Sequence, residues 1–224
     1  MKAIINNIHY NKIRQELDYM GYKDRYSFKA NENMPMMTSC CPAYAMLAKK
    51  FFPTMIGQIS QELTPMVATA RTIKVEHPNA KVVFIGPCAS KKLEASRRTI
   101  RSDVDFVITF EELAGMFEAK GIDLEAVVAE DEMQDATGVG RGYGVAGGGA
   151  SAIEQCIREY YPDVEVNIEH AESLAECKKM LLLAKAGKKN GCLIEGMACP
   201  GGCVNGGGQP IVDAYTRRTV DVQA

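Results

Sequence analysis

Eight cysteines are spread over the 224 residues, and four of them stand at breaks in the hydrophobic pattern rather than inside it. Cys41 lies immediately ahead of a helical stretch opening with Pro42, where unpaired backbone N–H groups favour a thiolate. Cys88 follows the apolar run Lys81–Ile85 across Gly86 and Pro87. Cys199 follows the run Cys192–Met197, with Cys203 four residues on amid Pro and Gly. Open α/β sheets place their sites beyond the carboxyl ends of strands. Four thiolates converging from three loops suit a cuboidal iron–sulfur cluster or a structural zinc. Zinc commonly takes two close Cys pairs, whereas only Cys199 and Cys203 are close here, so the spacing favours iron and sulfur. Cys156 and Cys177 sit in helix-like stretches, Ala152–Tyr160 and Ser173–Lys185, and read as small core hydrophobes, as does Cys192 at the head of a strand-like run.

Around these positions the pattern alternates between helix and strand. Amphipathic spacing predicts helices over Asn11–Tyr22, Pro42–Phe52, Pro65–Glu76 (N-capped by Thr64), Glu111–Lys120 and from about Ser173. Proline is tolerated in a first helical turn, and His77-Pro78 breaks the third of these helices. Lys81–Ile85 reads as a buried strand, and Phe106–Thr109, Val164–Ile168 and Cys192–Met197 as further strands. Strands interleaved with helices predict an α/β fold with a largely parallel sheet.

Two glycine-dense segments, 138–149 and 201–208, interrupt this order. The first resembles a dinucleotide loop on its glycines alone. The stretch ahead of it (Glu130–Asp135) is acidic rather than a hydrophobic strand, however, and no Lys-Ser/Thr follows. Glycine there is expected to let backbone pack closely against something bulky. A net charge of −2 and 24% charged residues give no electrostatic footprint for nucleic acid. No run of eighteen apolar residues predicts a membrane span, and the first residues are too short and polar for a secretory signal, so a cytoplasmic protein is expected, its thiols free of disulfides.

Three segments are more specific than any spacing. Thr38-Ser39-Cys40-Cys41-Pro42, Pro87-Cys88-Ala89-Ser90-Lys91-Lys92-Leu93-Glu94, and the stretch from Glu195-Gly196-Met197-Ala198-Cys199-Pro200-Gly201-Gly202-Cys203 to Gln209-Pro210 resemble, in order, the three signatures of the iron-only (FeFe) hydrogenases. The likeness runs from about Pro35 to Pro210 and includes Asp103–Thr109 and the glycine-rich segment 138–149. It implies a two-lobed α/β fold, with largely parallel sheets flanked by helices and the cofactor between the lobes. It implies an H-cluster, a 4Fe–4S cluster bridged to a two-iron unit carrying CO, CN and an azadithiolate. Cys41, Cys88 and Cys199 would ligate the 4Fe–4S part and Cys203 would form the bridge. Lys91 would pair with a cyanide, although a solvated lysine is the plain alternative, and Ser90, Met197, Pro87 and Tyr143 would line the cofactor. Cys40 would relay the proton, with Ser60 next in line and Glu62 and Glu16 as outer candidates by residue type only.

Departures from the family pattern accompany the likeness. Gly86 stands where a methionine is common, Met66 where a glutamine is common, and Tyr143 where phenylalanine is expected. These changes resemble the sensory branches of the family. The chain is read as a single H-cluster domain over 1–224, short for its kind, with 1–35 poorly matched. A minimal form, a piece of a longer protein and a chain completed by a partner all fit. Three functions follow from the resemblance: reversible dihydrogen oxidation and proton reduction, dihydrogen sensing with slow turnover, and a non-catalytic iron–sulfur scaffold. No further Cys run exists for accessory clusters. Electrons would therefore pass directly to a carrier such as ferredoxin or to an iron–sulfur partner subunit, and the two-iron unit would need maturation enzymes.

Overall fold

The structure, a computed structural model, describes residues 35–128, 138–160, 162–163 and 165–210. The expected helix over Asn11–Tyr22, Glu16, the acidic stretch Glu130–Asp135 and Val164 lie outside them. The described elements run β1 (Met36–Met37), α1 (Pro42–Phe51), α2 (Pro65–Glu76), β2 (Val83–Gly86), α3 (Ser90–Ala95), β3 (Phe106–Thr109), α4 (Phe110–Ala119), α5 (Gly138–Arg141), α6 (Gly148–Tyr160), β4 (Asn167–Glu172), α7 (Ser173–Lys185) and β5 (Cys192–Met197).

The strands form two separate parallel sheets. One has the order β1-β5-β4, and the other pairs β2 with β3 from Val83↔Phe106 to Gly86↔Thr109. β5 is central in the first sheet and all but its first residue is buried, as a strand covered on both faces should be. Helices α1 and α7 close over this sheet through Tyr44, Ala48, Cys177, Leu181 and Ala184, which pack with Met37, Ala171 and Ile194. Tyr44 can lie flat on the strand only because Gly196 has no side chain, since a Cβ there would stand 2.5 Å from the ring. The smaller sheet packs Phe84 and Val107 against Met66, Val67 and Ala70 of α2 and against Val104.

Most expected elements are present, with physical reasons for the exceptions. α4 starts at Phe110 behind a capping box in which Thr109 and Glu112 satisfy each other's backbone N–H groups. The expectation of a buried strand over Lys81–Ile85 is corrected. The strand is Val83–Gly86, and Val83 and Ile85 are each 43% exposed because the described residues cover only one face of the two-stranded sheet. Cys177 is fully buried as expected, whereas Cys156 and Cys192 are half-buried.

Candidate metal centre

Each sequence-nominated cysteine lies where a strand of one sheet or the other releases the chain. β1 leads through Thr38 and Ser39 to Cys40 and Cys41, and Cys41 is the N-cap residue of α1. β2 leads through Pro87 to Cys88, just ahead of α3. β5 leads to Cys199 and on to Cys203, which opens a short 3₁₀ turn (Cys203–Asn205) after Gly202 at φ +97°. Backbone ties the Cys199–Cys203 loop to the Cys88 loop and to the glycine-rich segment. Gly208 N donates to Pro87 O at 2.9 Å, Ala146 N to Gly201 O at 3.1 Å, and a Cβ on Gly206 would stand 2.4 Å from Pro87 O. Glycines in the third signature are thus a packing requirement of the Cys88 loop.

The thiols feel one another. Burial and then the neighbouring Cys41, Cys88, Cys40 and Cys199 push Cys203 up to about 12, and burial, Cys41 and Cys88 raise Cys199. Burial is also the largest cause for Cys40, which Glu195 and Cys41 raise further and which a side-chain hydrogen bond with Tyr143 and the charge of Lys91 bring down. Among the described residues no three His, Cys, Asp or Glu side chains converge closely enough to hold a single ion. The Tyr44 hydroxyl, buried and with no hydrogen-bond partner among the described residues, is coupled electrostatically to Cys177, Cys41 and Cys40.

These shifts set a pH dependence for the metal-free protein. A raised folded-state thiol pKa contributes stability that is present below the ordinary value of 9.0 and is lost as pH rises through about 12. The denaturation midpoint of the metal-free chain is therefore expected to fall above pH 9, and to fall less in Cys203→Ala. Equal alkaline loss in both proteins would contradict this origin.

Lys91 is 9% exposed, which sets aside a solvated surface lysine. Its Nζ donates to Glu94 Oε2 at 2.7 Å and to Cys40 O at 3.2 Å, tying the second signature to the first. Glu94, 1% exposed, also accepts from Thr64 Oγ1 at 2.8 Å. Among the described residues these partners occupy two of the three ammonium protons, and the charge of Lys91 is felt at Cys40. Removing one member of so buried a pair strands the other, so Glu94→Ala is expected to cost about 3–5 kcal/mol in denaturant unfolding. A loss below about 1 kcal/mol would show the pair to be solvated.

The other nominated residues fall around this core. Met197 is buried at the end of β5, Ser90 and Pro87 are half-buried beside Cys88, and Tyr143 sits in the 3₁₀ turn Gly142–Gly144 facing Cys40. Burial and then Cys40 hold the Tyr143 hydroxyl well above the usual phenol range. Ser60 packs on the first signature, its N–H donating to Met37 O at 2.8 Å and its Oγ accepting from Glu62 N at 3.2 Å. Ser39 Oγ reaches Glu62 O at 3.4 Å, so Glu62 lies on the same loop surface. The structure does not join Cys40 to Ser60 by a hydrogen bond among the described residues.

Sequence reasoning missed Glu195, which is 1% exposed and accepts from Gly147 N at 2.6 Å and Ala150 N at 3.0 Å. This carboxylate fills the N-terminus of α6, the place a dinucleotide's phosphate would need, and removes that reading of the glycine-rich segment. The bulky neighbour expected of those glycines is present, since a Cβ on Gly149 would meet Glu195 Oε1 at 2.7 Å and the Tyr143 ring at 3.5 Å.

The family model for the iron-only hydrogenase large subunit, C-terminal domain, matches residues 15–207. The chain belongs to that family. The match starts well ahead of Pro35, so the resemblance of the N-terminal segment is broader than the three signatures alone suggest. Iron hydrogenase 1 of Clostridium pasteurianum is 28% identical over 86% of this chain and 41% of its own length. A probable cytosolic Fe-S cluster assembly factor of Culex quinquefasciatus is 26% identical over 88% of this chain and 52% of its own length. The chain thus spans about half or less of these curated relatives. A solved [FeFe]-hydrogenase superposes with a TM-score of 0.66 at 21% identity, covering 94% of this chain and 70% of that one, which supports the mixed α/β hydrogenase fold with parallel sheets flanked by helices. Relatives of this iron–sulfur family therefore include both hydrogenases and assembly factors. No helix among the described residues is long and apolar enough to cross a membrane.

Proposed function

We propose that the chain is a single hydrogenase domain holding an H-cluster, with Cys41, Cys88 and Cys199 on the 4Fe–4S part and Cys203 as the bridge to the two-iron unit. The donor set fits. Soft thiolates suit iron, and four coupled cysteines too widely placed for one ion match a multi-iron group better than a lone zinc. When bound, the group supplies the iron that splits dihydrogen and the amine that holds the released proton. The protein positions it, keeps it dry and moves the proton. Cys40 lies beside Cys41 to exchange that proton, Lys91 presents its remaining N–H to a cyanide, and Met197, Ser90, Pro87 and Tyr143 close the pocket.

The observation that carries this reading is Lys91, a buried ammonium anchored by Glu94 and the Cys40 carbonyl. A cluster scaffold of the assembly-factor kind has no use for a cation held at that point. The reaction would be reversible dihydrogen oxidation and proton reduction, in the cytoplasm, with electrons exchanged through a ferredoxin-type carrier or an iron–sulfur partner subunit. Tyr143 in place of phenylalanine favours a second reading, dihydrogen sensing, in which the same site turns over slowly. The test is dihydrogen evolution from a reduced viologen by chain co-produced with maturation enzymes. Sustained evolution is expected, slow evolution from fully loaded protein supports sensing, and a 4Fe–4S paramagnetic signal without evolution would contradict both.

A further inference from the structure

β4 and β5 run parallel in register, which sets His170 directly beside Glu195 on the sheet. His170 Nδ1 stands 3.4 Å from Glu195 Oε2, yet the two differ sharply in surroundings, the imidazole being 46% exposed and the carboxylate buried. His170 faces a cleft of about 800 Å³ whose wall also includes Gly142, Gly147, Ser151, Gln155 and Glu172. Glu172 is the other acid in this cleft, and its carboxylate is engaged by Gly201 N at 2.6 Å. Inward of Glu195 the absence of a side chain on Gly149 lets the Glu195 carboxylate and the Tyr143 ring pack against the same stretch of backbone, which brings two oxygens near one point. A Cβ there would stand 2.7 Å from Glu195 Oε1 and 3.6 Å from the Tyr143 hydroxyl. Tyr143 in turn faces Cys40. Hydroxyl, carboxylate and imidazole thus line up from the candidate centre to solvent, and the first is the group that this chain has where phenylalanine is expected.

We propose that His170 and Glu195 pass protons between the cleft and Tyr143, a route separate from Ser60. The inference rests on the hydrogenase reading above. Inward, the His170 Nδ1–H bond breaks as an O–H bond forms on Glu195 Oε2, and the imidazole recovers a proton from water in the cleft. The carboxyl then releases its proton, by way of one water, to the Tyr143 oxygen as that hydroxyl gives up its own on the inner side. No electron moves, and the reverse sequence exports a proton. Histidine suits the outer position because its two ring nitrogens can take up a proton on one side while releasing one on the other. The backbone bonds from Gly147 and Ala150 hold Glu195 in place for this role.

Chemical rescue distinguishes a relay from a structural contact. In matured protein that shows iron-bound carbonyl and cyanide stretches, His170→Ala is expected to slow dihydrogen turnover by about 10²-fold, and added imidazole to restore it progressively. Glu195→Gln, which keeps the shape and one acceptor oxygen, is expected to be equally slow and unresponsive to imidazole. A readout independent of turnover is the protonated-carboxyl stretch in oxidised-minus-reduced infrared spectra, expected in the parent protein and absent in Glu195→Gln. Parent-like rates in His170→Ala, slow rates without imidazole rescue, or no carboxyl signal would each overturn the route while leaving the hydrogenase reading intact. Absence of the carbonyl and cyanide stretches from the parent protein would overturn that reading, and the route with it.

Discussion

Cys203→Ala is expected to yield a folded chain that acquires no two-iron unit and evolves no dihydrogen. The turn that carries Cys203 is fixed by its backbone, through Gly206 N to Cys203 O at 2.8 Å and Asn205 N to Gly202 O at 3.1 Å, and alanine preserves both bonds. What disappears is one sulfur, at a position that burial and the neighbouring Cys41, Cys88, Cys40 and Cys199 all influence. Three cysteines remain to hold a 4Fe–4S cluster, so iron and sulfide are expected at reduced but measurable levels while turnover falls to background. The variant also distinguishes the bridge from an ordinary ligand, because Cys88→Ala is expected to lower iron of both kinds. Full turnover in Cys203→Ala would remove the bridge assignment.

Cys40→Ala is expected to leave cofactor content unchanged and reduce turnover by about 10²–10⁴-fold, the range for loss of an acid–base group in direct exchange with the reacting centre. The selectivity follows from which atoms Cys40 uses. Its carbonyl accepts from Lys91 Nζ, a bond that no side-chain change removes, so the ammonium keeps its anchor. Its thiol hydrogen-bonds Tyr143, and that side-chain contact is lost. Comparable turnover in Cys40→Ala would mean that protons reach the centre without this thiol, and would leave Tyr143 as the innermost group of any route.

Much of this arrangement was legible in the sequence because it is local. Cys192–Met197 and Phe106–Thr109 form strands as their apolar runs predict, and Pro42 and Pro65 mark helix starts that the backbone respects. The Cys88 and Cys199 loops were legible for the same reason, since each cysteine follows a strand by two residues, and Cys41 was legible from the helix that starts at Pro42. Contacts across the fold were not. Lys91 reads as a surface lysine until Glu94 and the distant Cys40 carbonyl surround it. His170 and Glu195 are 25 residues apart and meet only through the β4–β5 register, which no period reveals. Met36–Met37 is too short to show alternation. The open face of β2 and β3 escaped notice because an apolar run carries no information about how many strands will flank it.

The claim on which all of this depends is that four cysteines from two sheets hold an organometallic group rather than a plain cluster. Infrared spectroscopy of anaerobically purified, matured protein tests it most directly. The account predicts stretches of iron-bound cyanide and carbonyl in the parent chain and their loss in Cys203→Ala. Protein that binds iron and sulfide yet shows no such stretches after maturation would contradict it.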